Sequence, residues 1–225
     1  MPSRILILGS PGAGKGTQAQ RVAQQFDIPH ISTGDIFRSN MERGTELGMK
    51  IEEYMHTGQL VPDTLACKVM AERLAEPDCA KGYILDGFPR SVPQAIELDN
   101  MVVQRAEALD MVIALVVDDT EIVDRLTARR TCPNCGKIYN LKYEQPKQHG
   151  LCDAEGCESI ELVQRDDDTE GTIRKRLALY HRVTEPLLLY YAKRGLRRDI
   201  VGEHRSPDEI AAQIEKLLMT SEKVV

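Results

Sequence analysis

A glycine-rich stretch near the start of the chain constrains the fold more than any other feature. It reads Gly9-Ser10-Pro11-Gly12-Ala13-Gly14-Lys15-Gly16-Thr17 and follows the aliphatic run Arg4–Leu8. The glycines let successive backbone N–H groups face one concavity, and a helix that begins there adds positive potential. Gly-x4-Gly-Lys between a strand and a helix indicates a phosphate-binding loop, with Lys15 reaching the outer phosphates. The alternative is a plain glycine-rich turn.

The residue after Lys15 departs from the strict phosphate-loop pattern. That pattern has Ser or Thr directly after the lysine, whereas here Gly16 intervenes and Thr17 carries the hydroxyl. We therefore expect Mg²⁺ to be held less by a direct hydroxyl ligand and more through water and phosphate oxygens.

Strand-like and helix-like segments alternate along the chain, which predicts an α/β fold with ligands at the carboxyl ends of parallel strands. The predicted strands, with a weaker fifth at His30–Ile31, are Arg4–Leu8, Tyr83–Leu85, Met111–Val117 and Asp199–Val201. The predicted helices are Gly14–Phe26, Asp35–Arg43, Glu46–Thr57, Asp63–Ala75, Thr120–Arg129, Glu170–Thr184 and Pro207–Met219. Pro186 is expected to break or kink the helical stretch from Glu170 to Lys193, because it has no N–H to donate.

Composition excludes several classes of protein. The formal net charge of −6 disfavours general binding to nucleic acid or to an anionic membrane. The longest apolar run, Met111–Val117, is far shorter than the roughly 20 residues of a membrane-spanning helix. The first residues read as a buried strand rather than a secretory leader, so we expect a cytoplasmic protein in which clustered cysteines bind metal.

A second motif, Asp86-Gly87-Phe88-Pro89-Arg90, comes directly after a predicted strand. Asp86 is placed to orient magnesium-bound water, and Arg90 to hold a phosphate with two hydrogen bonds. A surface turn with an incidental ion pair explains the residue types, but not their position opposite a phosphate loop.

These motifs together resemble those of the adenylate kinase family. The resemblance covers essentially the whole chain and is carried by Gly9–Thr17, Ile31–Asp35, Leu85–Arg90, Arg129-Arg130, Arg165-x-Asp167-Asp168 and Arg174-Lys175-Arg176. It implies a P-loop three-layer α/β fold with a parallel β-sheet core, a helical AMP-binding insert and a metal-binding lid insert. The core would comprise 1–31, 62–127 and 169–225, the AMP-binding insert 32–61 and the lid 128–168.

The resemblance also implies residue roles. The groups acting on the transferred phosphoryl group would be Lys15, Arg90, Arg129, Arg165 and Arg176. The ATP site would comprise Gly12, Ala13, Gly14, Lys15, Gly16, Thr17, Arg125, Arg129, Ile138, Tyr139 and Arg205. The AMP site would comprise Thr33, Arg38, Gln59, Leu60, Val61, Gly87, Phe88, Pro89, Arg90, Gln94, Arg165 and Arg176.

Two of these assignments also have a chemical logic of their own. The amide of Gln94 can accept from one position of the adenine edge and donate to the next, whereas a surface glutamine is the plainer alternative. Arg125 and Arg129 are four apart on the predicted helix Thr120–Arg129, and hence on one helix face. Phosphoryl transfer needs alignment and charge stabilisation rather than a base, so the histidines are given no catalytic role.

Four of the six cysteines form a predicted metal site. Cys132 and Cys135 make a tight knuckle, and Cys152 and Cys157 supply the second pair of a four-thiolate set suited to structural Zn²⁺, with Fe or Co as alternatives. The spacing of the second pair departs from the family pattern, so Asp153 or His149 remains an alternative to Cys157. Cys67 and Cys79 are isolated and are expected to be buried packing residues.

The predicted activity is Mg²⁺-dependent ATP + AMP ⇌ 2 ADP, performed by a monomer that has no nucleic-acid or membrane partner. Another nucleoside-monophosphate kinase, of the UMP/CMP type, is the nearest alternative, although such enzymes usually have a short lid. A zinc-ribbon nucleic-acid-binding protein with a P-loop is a further alternative, supported by the cysteine hairpin alone.

Overall fold

A parallel β-sheet forms the centre of the computed structural model, which describes residues 3–157 and 159–220. The strands are β1 (Arg4–Gly9), β2 (His30–Ser32), β3 (Tyr83–Asp86), β4 (Met111–Val116), β5 (Arg129–Thr131), β6 (Ile138–Asn140) and β7 (Arg197–Val201). Five of them pair in the order β2-β3-β1-β4-β7, every neighbour in parallel, while β5 and β6 form a separate antiparallel pair. All five predicted core strands are therefore confirmed.

Helices cover both faces of the sheet. They are α1 (Lys15–Phe26), α2 (Thr33–Glu42), α3 (Glu46–Thr57), α4 (Asp63–Leu74), α5 (Val92–Gln104), α6 (Asp119–Thr127), α7 (Glu170–Leu179), α8 (Pro186–Ala192) and α9 (Pro207–Thr220). None of the helices in the described residues is long and apolar enough to cross a membrane.

Side chains along β1 point alternately to the two faces of the sheet, which explains the three layers of the fold. Leu6 and Leu8 pack into the cluster beneath α4, α5 and α8, whereas Ile5 and Ile7 pack into the cluster beneath α1, α6, α7 and α9. All four side chains are buried because successive residues of a strand point to opposite faces and both faces are covered.

Two helices and a small hairpin are carried on this core, where the sequence indicated insertions. Helices α2 and α3 lie between β2 and α4, close to the predicted Asp35–Arg43 and Glu46–Thr57. The β5–β6 pair lies between α6 and α7, in a segment with little periodicity of its own.

The prediction about Pro186 is confirmed. Regular α-helix ends at Leu179, a wider π-type turn covers Tyr180–Thr184, and α8 begins at Pro186. Because proline lacks an N–H donor, it is tolerated in the first turn of a helix and disrupts the turn before it.

The sequence analysis missed one helix, and two of its expectations were wrong in detail. Helix α5 was not predicted, although Ser91 caps its N-terminus and Pro93 lies in its first turn, both typical helix-start signals. The helix predicted to reach Arg129 ends at Thr127, because Arg129 begins β5 and pairs there with Asn140 of β6. Cys79 is fully buried as expected, but Cys67 is only half-buried.

Candidate active site

One large cavity, of about 790 Å³, opens at the carboxyl ends of β1 and β3. The phosphate loop lines it, together with cationic side chains from α2, from the loop after β3 and from α7. A smaller neighbouring cavity shares Leu60, Gly87 and Arg90 with the large one. The two cavities are therefore adjoining parts of one site.

The phosphate loop has the geometry that its glycines predict. Gly12 has a φ of +83°, and a Cβ there would lie 2.7 Å from Cγ of Leu126, so a larger residue would be both strained and crowded. Helix α1 begins at Lys15, directly after Gly14. The loop thus presents a helix N-terminus to the cavity, a place that favours anions.

Among the described residues, no carboxylate is in direct contact with Lys15, which is held in the cavity by a backbone carbonyl. Its Nζ donates a hydrogen bond of 2.8 Å to the carbonyl oxygen of Ser10. Burial lowers the pKa of Lys15 to about 8; Asp86 opposes this effect, and nearby arginines including Arg90 add to it. A bound polyanion would remove this penalty, because it supplies the missing negative charge.

Asp86 ends β3 and lines the same cavity. A Cβ on Gly16 would lie 3.2 Å from Oδ2 of Asp86, tighter than ordinary van der Waals contact. His30 approaches the same oxygen from β2, with Nε2 at 3.5 Å. The absence of a side chain at position 16, which departs from the strict phosphate-loop pattern, therefore leaves room beside this carboxylate.

Several guanidinium groups of this cavity lie close enough to one another to shift each other's pKa: Arg176 acts on Arg90, and Arg129 acts on Arg165. Burial, followed by the charge of Arg176, lowers the pKa of Arg90 to about 10. Burial, followed by the charge of Arg129, lowers the pKa of Arg165 to about 10 as well. Cations gathered in this way favour a ligand with several negative charges.

Two carboxylates hold arginine side chains that line the cavity. Asp168 is fully buried and accepts two hydrogen bonds from Arg129, of 2.7 and 2.6 Å. Asp167 accepts one of 2.7 Å from Arg176. Arg125 and Arg129 do not share a helix face as the sequence suggested, yet both line the cavity, Arg129 from β5 and Arg125 from α6.

The smaller cavity lies between residues of the segment 33–61 and the loop after β3. Thr33 donates a hydrogen bond of 2.8 Å to the carbonyl oxygen of Gly87, which joins the two. Arg90 also bonds this oxygen through Nε, at 2.8 Å. Arg38, at the edge of the large cavity, forms an ion pair with Asp35.

Every nucleotide-site residue predicted from the sequence lines one of the two cavities. The large cavity is lined by Gly12, Ala13, Gly14, Lys15, Gly16, Thr17, Arg38, Leu60, Asp86, Gly87, Pro89, Arg90, Arg125, Arg129, Ile138, Tyr139, Arg165, Arg176 and Arg205. The small cavity is lined by Thr33, Gln59, Leu60, Val61, Gly87, Phe88, Arg90 and Gln94. The structure thus brings the predicted set together.

Sequence reasoning missed other lining residues, of which Glu121 is the most informative. Its carboxylate forms an ion pair with Arg125 and accepts a hydrogen bond of 3.2 Å from the backbone N–H of His204. It therefore ties α6 to the loop that carries Arg205. The i, i+4 spacing of Glu121 and Arg125 on a predicted helix was the available signal.

The four cysteines of the 128–168 insert converge in space. Their Sγ atoms all lie within 4.8 Å of one another, with Cys132 to Cys157 at 3.6 Å and Cys135 to Cys152 at 3.7 Å. Four sulfurs placed about 2.3 Å from a tetrahedral metal ion are separated by about 3.8 Å. The spacing therefore fits one ion held by four thiolates.

Hydrogen bonds prepare this cluster for metal. Burial opposes ionisation of Cys132, but backbone N–H groups of Cys135 and Asn134 stabilise its thiolate and lower its pKa to about 7. Cys157 belongs to the converging group, whereas the alternative ligand Asp153 bonds Lys137 and Tyr139, each at 2.8 Å. Asp153 thus lies in the surroundings of the site, where it orients Tyr139 toward Cys152.

Comparison with known proteins decides the family. The family model described as adenylate kinase matches residues 7–196. The chain belongs to the adenylate kinase family. It is 47% identical over 216 residues to the adenylate kinase of Caldanaerobacter subterraneus subsp. tengcongensis, with 96% of each chain covered.

Two further relatives named adenylate kinase are similarly close. The chain is 49% identical over 214 residues to that of Archaeoglobus fulgidus, covering 95% of this chain and 97% of the relative. It is 50% identical over 199 residues to that of Salinispora tropica, covering 88% and 89%. These matches do not favour the UMP/CMP-kinase or nucleic-acid-binding alternatives.

Proposed function

We propose that the protein is an ATP:AMP phosphotransferase that catalyses the reversible reaction ATP + AMP ⇌ 2 ADP. One observation carries the proposal: the phosphate loop and a second set of cationic groups, Arg38, Arg90, Arg165 and Arg176, line one large cavity, and Arg90 also lines the small cavity beside it. Membership of the adenylate kinase family supports ATP as the donor and AMP as the acceptor. A donor and an acceptor nucleotide would bind here with their phosphates meeting between Lys15 and Arg90.

On the donor side, the backbone N–H groups from Gly12 to Thr17 would hold the phosphates of ATP, and Lys15 would reach the terminal groups. Arg125 and Arg129 would contribute charge from α6 and β5. Ile138, Tyr139 and Arg205 also line the large cavity and would enclose the base and ribose.

On the acceptor side, Arg38, Arg90, Arg165 and Arg176 would hold the phosphate of AMP. Gln94 and the backbone of 59–61 would face its base. The acceptor oxygen is already ionised, so no residue has to remove a proton. Alignment of the two phosphates and neutralisation of charge in the transition state would supply the rate, and one such cation contributes about 10³-fold or more.

Family membership implies Mg²⁺ bound with ATP. Oxygen ligands suit this ion, and the carboxylate of Asp86 together with the hydroxyl of Thr17 lies on the cavity wall beside the phosphate loop. Asp86 would hold magnesium-bound water, and the space beside Gly16 would leave room for that shell. Bound Mg²⁺ neutralises phosphate charge and aligns the phosphate oxygens.

We further propose that the four-cysteine site holds a structural Zn²⁺, with iron or cobalt as the chemical alternatives. Four protein thiolates leave no open position for substrate, so the ion would stabilise the hairpin and take no part in the reaction. The insert that carries it, 128–168, would close over ATP and exclude water, while 32–61 would cover AMP.

The remaining proposals concern the protein in the cell. One chain supplies both cavities, which supports a monomer. The net charge of −6 supports the absence of a nucleic-acid partner. None of the six cysteines is in a disulfide bond, which supports a location in the reducing cytoplasm.

A coupled assay with MgATP and a panel of acceptors tests the proposed function. We expect AMP to be phosphorylated with a kcat/KM well above those of CMP, UMP and GMP. A clear preference for one of the other acceptors would overturn the assignment while leaving the fold unchanged.

A further inference from the structure

The side chain of Gln94 is held at both ends of its amide. Its Oε1 accepts a hydrogen bond of 2.7 Å from the backbone N–H of Arg90, and its Nε2 donates one of 2.7 Å to Oδ1 of Asp63. Gln94 is only 2% exposed, yet it lines the small cavity. Asp63 is absent from the sets that line either cavity.

Asp63 is itself fixed by a second contact. Ser91 donates a hydrogen bond of 2.9 Å to its Oδ2, and the same hydroxyl accepts from the backbone N–H of Gln94, at 3.3 Å. Asp63 opens α4, and Ser91 caps α5. The carboxylate therefore joins the starts of two helices and has one oxygen committed to Gln94.

These partners permit one orientation of the amide. A carboxylate only accepts hydrogen bonds, and a backbone N–H only donates them. Rotating the amide of Gln94 by half a turn would place Oε1 against the carboxylate of Asp63 and the NH₂ group against the N–H of Arg90. Both favourable contacts would become repulsive in a buried site.

The groups that remain free on the amide define a base edge. An amide oxygen has two lone pairs and an amide nitrogen has two hydrogens, and within the described part of the chain the hydrogen bonds of Gln94 use one of each. One acceptor and one donor are left for a ligand in a fixed order. That pattern matches a base with an amino group beside a ring-nitrogen acceptor, as in adenine, and opposes a base with a keto group beside a ring N–H.

We infer that Asp63 is a specificity-determining positioning residue, which locks the amide of Gln94 in the orientation that selects 6-amino purines over 6-keto purines as phosphoryl acceptors. Asp63 acts through Gln94 and does not itself contact the nucleotide. This inference rests on the proposed function, since it assigns the acceptor base to the pocket that Gln94 lines.

The test compares AMP with inosine monophosphate in the full-length wild-type protein and in the Asp63→Asn variant. The two nucleotides differ at the purine edge, where inosine monophosphate has a keto group and a ring N–H. Asparagine keeps the shape of the aspartate but can donate as well as accept, so the rotated amide of Gln94 loses one of its two repulsive contacts. We expect the ratio of kcat/KM for AMP to that for inosine monophosphate to fall about tenfold or more, because one charge-assisted hydrogen bond no longer opposes rotation.

Asp99→Asn is the matched control. Asp99 lies in α5, the helix that carries Gln94, and has two partners, the hydroxyl of Tyr190 at 2.5 Å and Arg194 at 3.1 Å; like Asp63, it lines neither cavity. This variant is expected to lose thermal stability without a change in the nucleotide ratio. A purely structural role for Asp63 would likewise lower both kcat/KM values by the same factor.

The outcomes separate the two proposals. If the wild-type protein phosphorylates AMP but Asp63→Asn keeps the wild-type ratio, the role of Asp63 is overturned and the proposed function stands. If the wild-type protein phosphorylates neither nucleotide, the proposed function fails. If the ratio of kcat/KM for AMP to that for inosine monophosphate falls in Asp63→Asn and not in Asp99→Asn, the positioning role of Asp63 is supported.

Discussion

Arg129 and Asp168 form a two-bond ion pair that joins the two ends of the segment 128–168. Nε of Arg129 lies 2.7 Å from Oδ2 of Asp168, and Nη2 lies 2.6 Å from Oδ1. Asp168 is fully buried, and the side chain of Arg129 is 16% exposed. The pair holds the guanidinium at the cavity wall and closes the base of the insert with the same contact.

Asp168→Ala is expected to lower the free energy of unfolding by about 3 kcal/mol, because it leaves a largely buried guanidinium without its partner. Activity should fall as well, since Arg129 would no longer be held at the cavity. Urea denaturation and steady-state kinetics measure the two effects. Asp166→Ala removes the same charge from an exposed position of the same turn and should change neither; equal effects of the two variants would contradict this role for Asp168.

The pH dependence of ATP use should report Lys15. Its pKa in the free protein is lowered to about 8, mainly by burial, so the ammonium loses its charge as the pH rises through that value. We therefore expect kcat/KM for ATP to fall above about pH 8, because that ratio reports ionisation of the free enzyme. In Lys15→Arg, whose guanidinium keeps its charge, the decline near pH 8 should be absent from whatever activity remains.

The same shift has a consequence for stability. The folded state binds fewer protons than the unfolded state between about pH 8 and the ordinary lysine pKa of 10.5. The contribution of Lys15 to the free energy of unfolding should therefore rise with pH across that range. Denaturation of the wild type and of Lys15→Met at pH 7.5 and 9.5 checks the sign. Between these pH values the free energy of unfolding should rise more, or fall less, in the wild type than in Lys15→Met, and the opposite order would contradict the prediction.

Metal content tests the four-cysteine site. The protein, purified under reducing conditions, should contain about one metal ion per chain, as a single four-thiolate site requires. Cys157→Ser should lose most of it and unfold the insert more readily, while the sheet core stays folded. Cys67→Ser, the same substitution at a half-buried cysteine outside the cluster, should keep the metal. Stoichiometric metal in Cys157→Ser would point to another fourth ligand.

The parts of this molecule that were predictable from sequence are those in which local pattern and global fold agree. The run Arg4–Leu8 is aliphatic because both faces of β1 are covered, and the phosphate loop has glycines where the backbone requires them. Helix α5 was missed because its apolar residues are interspersed with polar ones. Gln94, for example, is buried because it hydrogen-bonds Arg90 and Asp63. Periodicity does not report such burial.

Long-range partners were the other limit. Spacing placed Arg129 on a helix with Arg125, but pairing with Asn140 turns the chain into β5. Nothing local to Asp63 indicates that its carboxylate meets Gln94, 31 residues later in the chain. Contacts of this kind depend on how the elements pack, and they determine which orientation a polar side chain adopts.

The formation of ADP from equimolar ATP and AMP tests the central claim most directly. With Mg²⁺, two ADP should appear for each AMP consumed, the reverse reaction should be seen from ADP alone, and Lys15→Met should slow both by about 10³-fold or more. Release of inorganic phosphate from ATP while AMP remains unchanged would contradict the account, because it would show that water is the acceptor.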